Sequence, residues 1–345
     1  MMSVAIGVDS HKSSLAVGVR DETGRTVGVR EFANDGAGHD CLIEWIEHYG
    51  PTRVIGIEGS GSYGAALAKR LLQAGEDVRE VPAFMSHRER KKNPSRGKSD
   101  VNDAIAIAQV VARGEGLSSP QRKAIYEDLK LLSDHRDQLV RARTRLINRA
   151  HKDLVVSHPG YENRIPKLTS KKNLKSAMTL LRGDDSVRAE LIRDRIAEIR
   201  RLDDKIGAIE KQIAVKVTET GTRLTQLRGI RFIVAAKILG EVGDVARLRS
   251  KGSFAMLTGT APLEASSGKT KRHRLNRGGN RQLNYALYVM ALARCRGDAD
   301  TQSYMERLRI EGKTNKEAMR CLKRHLSNVV FRQLLADFQD VEVAA

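Results

Sequence analysis

Val4-Ala5-Ile6-Gly7-Val8-Asp9 is a short apolar run that ends at a carboxylate, and it predicts the first buried strand of the chain. Leu15–Val19 predicts a second strand after a polar turn. Glu22-Thr23-Gly24 has the composition of a hairpin turn and leads into a third predicted strand, Thr26–Phe32. Three consecutive strands joined by short turns predict an antiparallel meander at the start of the chain.

Helix and strand patterns alternate after the meander. Helices are predicted over Cys41–Tyr49, Tyr63–Gln73 and Asp100–Ala112, and strands over Arg53–Ile57 and Asp77–Val81. The basic stretch between the last strand and the last helix is predicted as a loop. Three strands followed by helix, strand, helix, strand and helix is the order of a ribonuclease H-like α/β domain.

The middle of the chain has the apolar spacing of long helices. Ile125–Leu154 is a broken heptad with Arg136 and Arg143 in its gaps, and Leu191–Val217 carries apolar residues three and four positions apart. This spacing favours either an antiparallel helical hairpin or an intermolecular coiled coil.

The last third is predicted to be mostly helical. Leu224–Leu239 predicts a helix-hairpin-helix-like element with a tight turn at Gly229, a module whose turn can offer backbone N–H groups to a phosphate. Phe254–Leu257 and Gln282–Ala293 predict further helices. We therefore expect three domains: a ribonuclease H-like domain at residues 1–117, a helical coiled-coil linker or oligomerisation region at residues 118–220, and a mostly helical domain at residues 221–345.

The charge balance predicts a polyanionic partner. The 345 residues include 61 Lys+Arg and 42 Asp+Glu, for a formal net charge of +19. The basic residues concentrate in three clusters: Arg88, Arg90, Lys91, Lys92, Arg96 and Lys98; Arg141, Arg143, Arg145, Arg149 and Lys152; and Lys269, Lys271, Arg272, Arg274, Arg277 and Arg281. One such cluster alone is often a solvated face, but three together favour nucleic acid, which binds through counterion release.

Other classes of protein are disfavoured. No run approaches the ~18 apolar residues of a membrane span, and no basic amphipathic segment carries a bulky aromatic face. Asp9 interrupts the first apolar run, which disfavours a signal peptide. Cys41, Cys295 and Cys321 are far apart and form no CxxC motif, which disfavours a zinc ribbon and a disulfide framework. We expect a soluble intracellular protein.

Four acidic residues fall where a two-metal site needs them. Asp9 and Glu58 end the first and fourth predicted strands, and Asp100 and Asp103 lie three apart on the helix after the fifth. In a ribonuclease H-like sheet the first and fourth strands are neighbours, so their ends converge beside that helix. Carboxylate oxygens suit Mg²⁺ or Mn²⁺, and two such ions support phosphodiester chemistry. Each acid alone could be a surface group, and Asp100 could simply cap its helix.

A rival pattern lies at the same place. Gly59-Ser60-Gly61-Ser62-Tyr63-Gly64 matches GxGxxG after a strand, and Glu80 ends the next strand, as in a dinucleotide fingerprint of an oxidoreductase. Glu58 would repel a pyrophosphate there, and the net charge would remain unexplained. We expect these glycines to form a tight turn beside Glu58 instead.

Three motif groups resemble a known family. They are Gly7-Val8-Asp9-x-His11-Lys12; Gly56-Ile57-Glu58-x-x-Gly61-x-Tyr63-Gly64; and Lys98-Ser99-Asp100-x-x-Asp103-Ala104. The C-terminal part adds Leu227-Arg228-Gly229-Ile230, Glu241-x-Gly243-Asp244, Gly259-x-Ala261-Pro262, Ser266-Ser267-Gly268 and Arg277-Gly278-Gly279-Asn280-Arg281-x-Leu283. Together they resemble the insertion-sequence transposases with an N-terminal DEDD domain, numbered one hundred and ten in insertion-sequence nomenclature and related to the Piv DNA invertase.

The resemblance implies a specific chemistry. The first domain would be similar to RuvC resolvases, with Asp9, Glu58, Asp100 and Asp103 both catalytic and ligands of Mg²⁺ (or Mn²⁺). The last domain would be a serine transposase domain in which Ser267, directly before Gly268, attacks a DNA phosphodiester and leaves a free 3′ hydroxyl; Ser266 is the adjacent candidate. Lys271, Arg272, Arg274 and Arg277 would contact phosphates.

The resemblance also implies partners. It predicts donor and target DNA, a structured bridge RNA as guide, and a homodimer or homotetramer, in a cytoplasmic, nucleoid-associated bacterial protein. RNA guidance would leave the protein to read backbone and shape, which suits many Lys and Arg side chains. Two alternatives stay open: a junction resolvase that hydrolyses DNA with metal alone, and a non-catalytic nucleic-acid-binding protein.

Overall fold

A computed structural model describes residues 4–92, 99–114, 117, 119–120, 124–265 and 273–344 of the chain. The chain divides into two compact units, Met1–Gln121 and Arg122–Ala345. Each unit contains its own hydrophobic core.

The first unit is built on a mixed β-sheet. Within the described residues its strands are β1 (Val4–Ser10), β2 (Ser14–Arg20), β3 (Thr26–Ala33), β4 (Arg53–Glu58) and β5 (Asp77–Glu80), in the order β3-β2-β1-β4-β5. The β1–β2 and β2–β3 pairs are antiparallel, and the β1–β4 and β4–β5 pairs are parallel. The predicted meander and the mixed α/β class of this unit are therefore confirmed, as is the adjacency of the first and fourth strands.

Helices accompany the sheet: α1 (Gly36–Glu47), α2 (Ala65–Gln73), α3 (Ala83–Arg90) and α4 (Asp100–Arg113). The expectation of a loop throughout the basic stretch is wrong, because α3 occupies its first part. Pro82 begins α3 in an extended conformation, and the buried face of the helix includes Ser86 and Glu89. Glu89 forms ion pairs with Lys92 and Arg113, so the buried face of this helix is polar apart from the partly buried Met85.

Helix α4 packs on the middle of the sheet through a row of glycines. Gly18, Gly7 and Gly56 are register partners on β2, β1 and β4. A Cβ atom on Gly7 would lie 2.2 Å from the carbonyl oxygen of Ala104, and one on Gly56 would lie 2.1 Å from a methyl carbon of Val111. The helix therefore approaches the sheet main chain to a distance that side chains at these positions would forbid.

The second unit is mostly helical, as predicted. Its elements are α5 (Ala124–Ser157), α6 (Lys171–Leu180), α7 (Val187–Glu219), α8 (Phe232–Val242), α9 (Lys251–Leu257), β6 (Leu263–Glu264), β7 (His273–Arg274), α10 (Arg281–Gly297), α11 (Ala299–Ile310) and α12 (Asn315–Ala344). Strands β6 and β7 pair as an antiparallel hairpin. Among the described residues, no helix is both long and apolar enough to cross a membrane.

Helices α5 and α7 form an antiparallel hairpin within the chain. Ion pairs join Asp128 to Lys216 near one end and Asp153 to Arg195 near the other, and this order fixes the antiparallel direction. Of the two arrangements that the heptad spacing left open, the intramolecular hairpin is the one observed. The tip of the hairpin packs with α6 around Leu154 in a core separate from the larger core of the unit.

The predicted helix-hairpin-helix-like element differs from the expectation. Its first part is only a three-residue 3₁₀ turn, Leu224–Gln226, and the regular helix α8 starts after it. The carboxylate of Asp337 accepts hydrogen bonds from Thr222 Oγ1 and Arg223 N, which holds the chain in a turn before the helix pattern begins. Gly229 has a φ of +90°, and a Cβ atom there would lie 2.8 Å from the Met290 carbonyl oxygen, so this glycine serves packing on α10.

Candidate metal centre and nucleic-acid interface

Asp9 and Glu58 are brought together by strand pairing. They are register partners on the parallel strands β1 and β4. Asp9 lies two residues after Gly7 and Glu58 two residues after Gly56, so both face the side of the sheet that α4 covers. Asp9 itself is buried.

Helix α4 supplies the other two acids. Ser99 caps the helix by accepting a hydrogen bond from Asn102 N at 3.2 Å, so Asp100 is free of the capping role considered above. Asp103 follows one turn later, on the same side of the helix. The glycine row under α4 thus sets where these carboxylates lie relative to Asp9.

His11 lies between two of these acids. Its Nε2 atom is 3.3 Å from Asp9 Oδ2 and 3.4 Å from Asp100 Oδ1. Among the described residues these three side chains form a group whose possible ligand atoms all lie within 4.8 Å of one another. Two carboxylates and an imidazole at this spacing fit a divalent cation. In the sequence His11 stood out only as part of the Gly7–Lys12 motif, and it was not among the predicted ligands.

Glu58 and Asp103 are engaged by neighbours on α3. Ser86 Oγ donates to Glu58 Oε2 at 2.5 Å. Arg90 Nη1 donates to both carboxylate oxygens of Asp103, at 2.6 and 2.5 Å. Sequence reasoning missed both contacts, because it predicted no helix here and assigned Arg90 to nucleic acid. The four acids therefore fall into two pairs: the buried Asp9 and the exposed Asp100 lie beside His11, and Glu58 and Asp103 are held by α3.

The electrostatics of the site affect Asp9 most. Burial raises the pKa of the Asp9 carboxyl above its ordinary value, and the nearby negative charges of Glu58, Asp103 and Asp100 raise it further, while His11 acts in the opposite direction. Carboxylates this close together repel one another, and a bound cation would offset that repulsion.

The GxGxxG segment forms a closed turn. Gly59 has a φ of +77°, and its carbonyl oxygen accepts hydrogen bonds from Ser62 N and Gly64 N at 2.8 and 3.0 Å. Ala65 N, the first residue of α2, donates to Ser62 O. These N–H groups are occupied within the turn, whereas a dinucleotide site needs them directed at the pyrophosphate.

The basic residues predicted to bind nucleic acid have different surroundings. Arg88, Lys91 and Lys92 are exposed at the end of α3, although Lys92 also contacts Glu89 at 2.9 Å. In the second unit Arg274, Arg277 and Arg281 are exposed. The remaining predicted residues lie outside the described part of the chain: Arg96, Lys98, Ser266, Ser267, Lys269, Lys271 and Arg272.

The motifs Gly259–Pro262 and Arg277–Leu283 lie on either side of the β6–β7 hairpin and pack against each other. A Cβ atom on Gly279 would lie 2.2 Å from Gly259 N, so the two glycines allow direct contact between main chains. Asn280 N donates to Leu257 O at 2.6 Å, and Asn284 Nδ2 donates to Thr258 O at 2.8 Å. The framework on both sides of residues 265–272 is therefore held by backbone contacts.

Comparison with known proteins identifies the family. A DEDD-type IS110 model described as "Transposase" matches residues 6–159, and a model described as "Transposase IS116/IS110/IS902 family" matches residues 221–306, together more than half of the chain. The chain belongs to the IS110/IS116 transposase family.

Relatives of this transposase extend along most of its length. The "Insertion element IS110 uncharacterized 43.6 kDa protein" of Streptomyces coelicolor is 27% identical, covering 83% of this chain and 82% of that protein. The "Insertion element IS116 uncharacterized 44.8 kDa protein" of Streptomyces clavuligerus is 24% identical, covering 95% and 94%. A solved structure, "T. thermophilus RuvC in complex with Holliday junction substrate", aligns with 34% of this chain and 98% of that chain at 16% identity; its TM-score of 0.27 is too low to establish a common fold.

Proposed function

We propose that this transposase cleaves and rejoins DNA at the ends of its insertion element, using Ser267 as nucleophile together with a metal site in its first unit. The family assignment supports DNA strand transfer. The observation that carries the metal site is the pairing of Asp9 with Glu58 on adjacent strands, beside the start of α4. We assign the first unit as a ribonuclease H-like domain on its sheet order.

Asp9, Glu58, Asp100 and Asp103 are the residues that would hold Mg²⁺ or Mn²⁺, and the spacing of Asp9, His11 and Asp100 fits a divalent cation. A bound ion would supply positive charge against the charge that develops on phosphate oxygens. The chain supplies the nucleophile: the Ser267 oxygen forms a bond to phosphorus, the bond from phosphorus to the 3′ oxygen breaks, and that oxygen leaves as a hydroxyl after taking a proton.

The partners follow from the same proposal. Donor and target DNA bind along the exposed basic residues, and a structured RNA transcribed with the element selects both. The protein acts as a homodimer or homotetramer in which one protomer's serine works with another's acids. The exposed Arg88, Lys91, Arg274, Arg277 and Arg281 support this, because basic side chains bind the phosphate backbone of any sequence.

One alternative keeps the metal site and dispenses with the serine. The four acids and His11 lie in one compact unit, which would suffice for a junction resolvase that hydrolyses DNA by activated water. A covalent link between protein and DNA distinguishes the two mechanisms.

The test uses the full chain purified with its cellular RNA, a DNA duplex spanning the element end, and Mg²⁺. After denaturation, we expect wild type and Ser266→Ala to carry covalently bound DNA and Ser267→Ala to carry none. Asp9→Asn should also lose the adduct while retaining nucleic-acid binding. Nicked DNA without an adduct in any variant would establish the metal-only resolvase and overturn the serine mechanism.

A further inference from the structure

The second unit contains a large cavity beside the β6–β7 hairpin. Its volume is about 950 Å³, within the range of pockets that hold small molecules or nucleotide-sized groups. One wall comes from Gly259–Pro262 and His273–Asn276, which flank residues 265–272 in the chain, and the other comes largely from α12. A group in this cavity would therefore lie beside both ends of the segment that contains Ser267.

The cavity wall is strongly basic. Its described charged residues are Arg274, Lys313, Arg320, Lys323 and Arg324, with Glu317 as the acid. Glu317 pairs with Arg320 at 3.7 Å and accepts hydrogen bonds from Thr314, and Lys313 pairs with Glu311. Arg324 donates to neutral groups, Asn328 Oδ1 at 2.5 Å and Ser327 Oγ at 3.2 Å. This excess of cations suits an anionic group.

Lys323 is the most unusual of these residues. Only 9% of it is exposed, and its Nζ donates to the neutral Asn284 Oδ1 at 2.7 Å. Within the described residues, no carboxylate lies within ion-pair distance of it. Burial, helped by the positive charge of Arg320, lowers the pKa of its ammonium group. Burying an ammonium group without an anion costs free energy, so this lysine lowers the folding stability of the protein when no ligand is bound.

Lys237 provides the contrast. It is buried to a similar degree, with 5% exposed, and it also lies in the second unit. Its Nζ forms an ion pair with Asp137 and donates to Gln282 Oε1 at 2.8 Å. Lys237 therefore has the internal anion that a buried lysine ordinarily has, and Lys323 lacks it.

We propose that Lys323, with Arg320 and Arg324, forms a phosphate subsite that holds a DNA phosphodiester in this cavity. The missing anion is then supplied by the DNA backbone. This assignment to DNA rests on the proposed function, because the β6–β7 connection includes Ser267 and the phosphodiester it attacks must lie near that connection. Lys323 is a binding and positioning residue for the strand.

The test compares Lys323→Met, Lys323→Arg and the matched control Lys237→Met in the full chain. Binding is measured with a short fluorescent DNA duplex carrying the element end, over a range of salt concentrations. We expect Lys323→Met to weaken binding about tenfold and to reduce the slope of log K against log salt by about 0.9, the value for one lost phosphate contact. Lys323→Arg keeps the charge and should restore most of the affinity.

Thermal unfolding separates this role from a structural one. Lys323→Met should leave the melting temperature of the free protein unchanged or raised, because it removes an uncompensated buried charge. Lys237→Met should lower the melting temperature, because it removes the buried partner of Asp137 and leaves that carboxylate only its longer ion pair with Arg136, at 3.3 Å. Unchanged DNA affinity in Lys323→Met, or a fall in its melting temperature equal to that of Lys237→Met, would overturn the proposal.

Two further readouts separate the subsite from the proposed chemistry. If Lys323→Met loses DNA affinity while even the wild type forms no covalent adduct, the subsite stands and the serine mechanism fails. If the wild type and Lys323→Met form the adduct equally and bind DNA equally, the serine mechanism stands and the phosphate subsite is wrong. If Lys323→Met weakens binding of an RNA duplex of the same sequence and not that of DNA, the assignment to DNA is wrong.

Discussion

The main chain of Gly7 packs directly against the main chain of Ala104. A Cβ atom added to Gly7 would lie only 2.2 Å from the Ala104 carbonyl oxygen. This contact joins β1 to α4 without any intervening side chain. Asp9 lies two residues beyond the contact on the strand, and Asp100 and Asp103 lie within the turn before it on the helix. The spacing between the carboxylates is therefore determined by two segments of backbone in direct contact.

Gly7→Ala should disrupt the candidate metal centre. The added methyl group also meets Ala108 N at 2.2 Å, and because neither neighbour is a side chain that could rotate away, α4 must move. We expect a loss of about 1–3 kcal/mol or more in the free energy of unfolding, as for overpacked cores, together with weaker Mn²⁺ binding. Denaturant unfolding and calorimetry measure the two effects.

Gly61→Ala is the matched control for this substitution. A Cβ atom at Gly61 meets nothing within 4 Å, so stability and Mn²⁺ affinity should stay near those of the wild type. Equal stability and equal Mn²⁺ affinity in Gly7→Ala and Gly61→Ala would show that the contact between Gly7 and α4 does not hold the carboxylates in place.

Asp9→Asn should stabilise the metal-free protein at neutral pH. The pKa of Asp9 is higher in the folded protein than its ordinary value of 3.8, so the folded state holds its proton more tightly than the unfolded state. Stability therefore falls as the pH rises from below 3.8 through the raised folded pKa, and the asparagine variant avoids this loss. Thermal unfolding with a chelator, measured from acid to neutral pH, should show a gain at pH 7 that disappears at acid pH.

Addition of Mn²⁺ supplies the control for that measurement. The wild type should gain melting temperature with the ion, and Asp9→Asn should gain much less, because it lacks the central carboxylate. A wild type that is more stable than Asp9→Asn in the chelator would show that the charge of Asp9 is compensated without metal.

Arg90→Gln should raise the affinity of the free protein for Mn²⁺. Arg90 occupies both oxygens of Asp103, so an ion must displace the guanidinium before it can use that carboxylate. A partly exposed ion pair contributes about 1 kcal/mol, which corresponds to about a fivefold change in affinity. Calorimetric titration checks this value against Arg88→Gln, an exposed neighbour on the same helix. A weaker site in Arg90→Gln would show that Arg90 positions Asp103 for the ion.

Asn280→Ala should destabilise the second unit by about 2 kcal/mol. The side-chain oxygen of Asn280 caps α10 by accepting from Gln282 N at 2.8 Å, and its amide donates to Glu241 Oε2 at 2.6 Å. The substitution removes the cap, which costs about 1 kcal/mol, and leaves one oxygen of the buried Glu241 without its donor. Denaturant unfolding measures the total.

Asn280→Asp distinguishes the two contributions. It keeps a capping oxygen but places a second carboxylate against Glu241, so at neutral pH it should be less stable than Asn280→Ala and should recover in acid. An aspartate variant that is more stable than the alanine variant at neutral pH would show that capping outweighs the contact with Glu241.

The sheet could be predicted because each of its strands is recognisable from a few consecutive residues. Val4–Asp9 and Arg53–Glu58 are apolar runs that end in carboxylates, and the order of elements implies that they pair. The glycine row could not be predicted in the same way, since Gly7, Gly18 and Gly56 become neighbours only once the strand register is known.

The surroundings of the acids depend on tertiary contacts that leave no periodic pattern. Helix α3 has no apolar stripe, and its Ser86 and Arg90 meet Glu58 and Asp103 only after the chain has folded. Lys323 was not among the predicted residues, because on sequence alone it is one basic residue among many on a helix. Its lack of an anion is visible only from its burial and its neighbours.

The separate core at the tip of the α5–α7 hairpin bears on how the second unit unfolds. The tip core around Leu154 and the larger core share these two helices, while ion pairs such as Arg136–Glu210 and Arg143–Asp203 join the helices between them. These ion pairs are partly buried and lie between two separate apolar cores, so opening at the tip need not spread along the hairpin. Amide hydrogen exchange should then show two levels of protection within the same pair of helices, with the change in the stretch that carries these ion pairs.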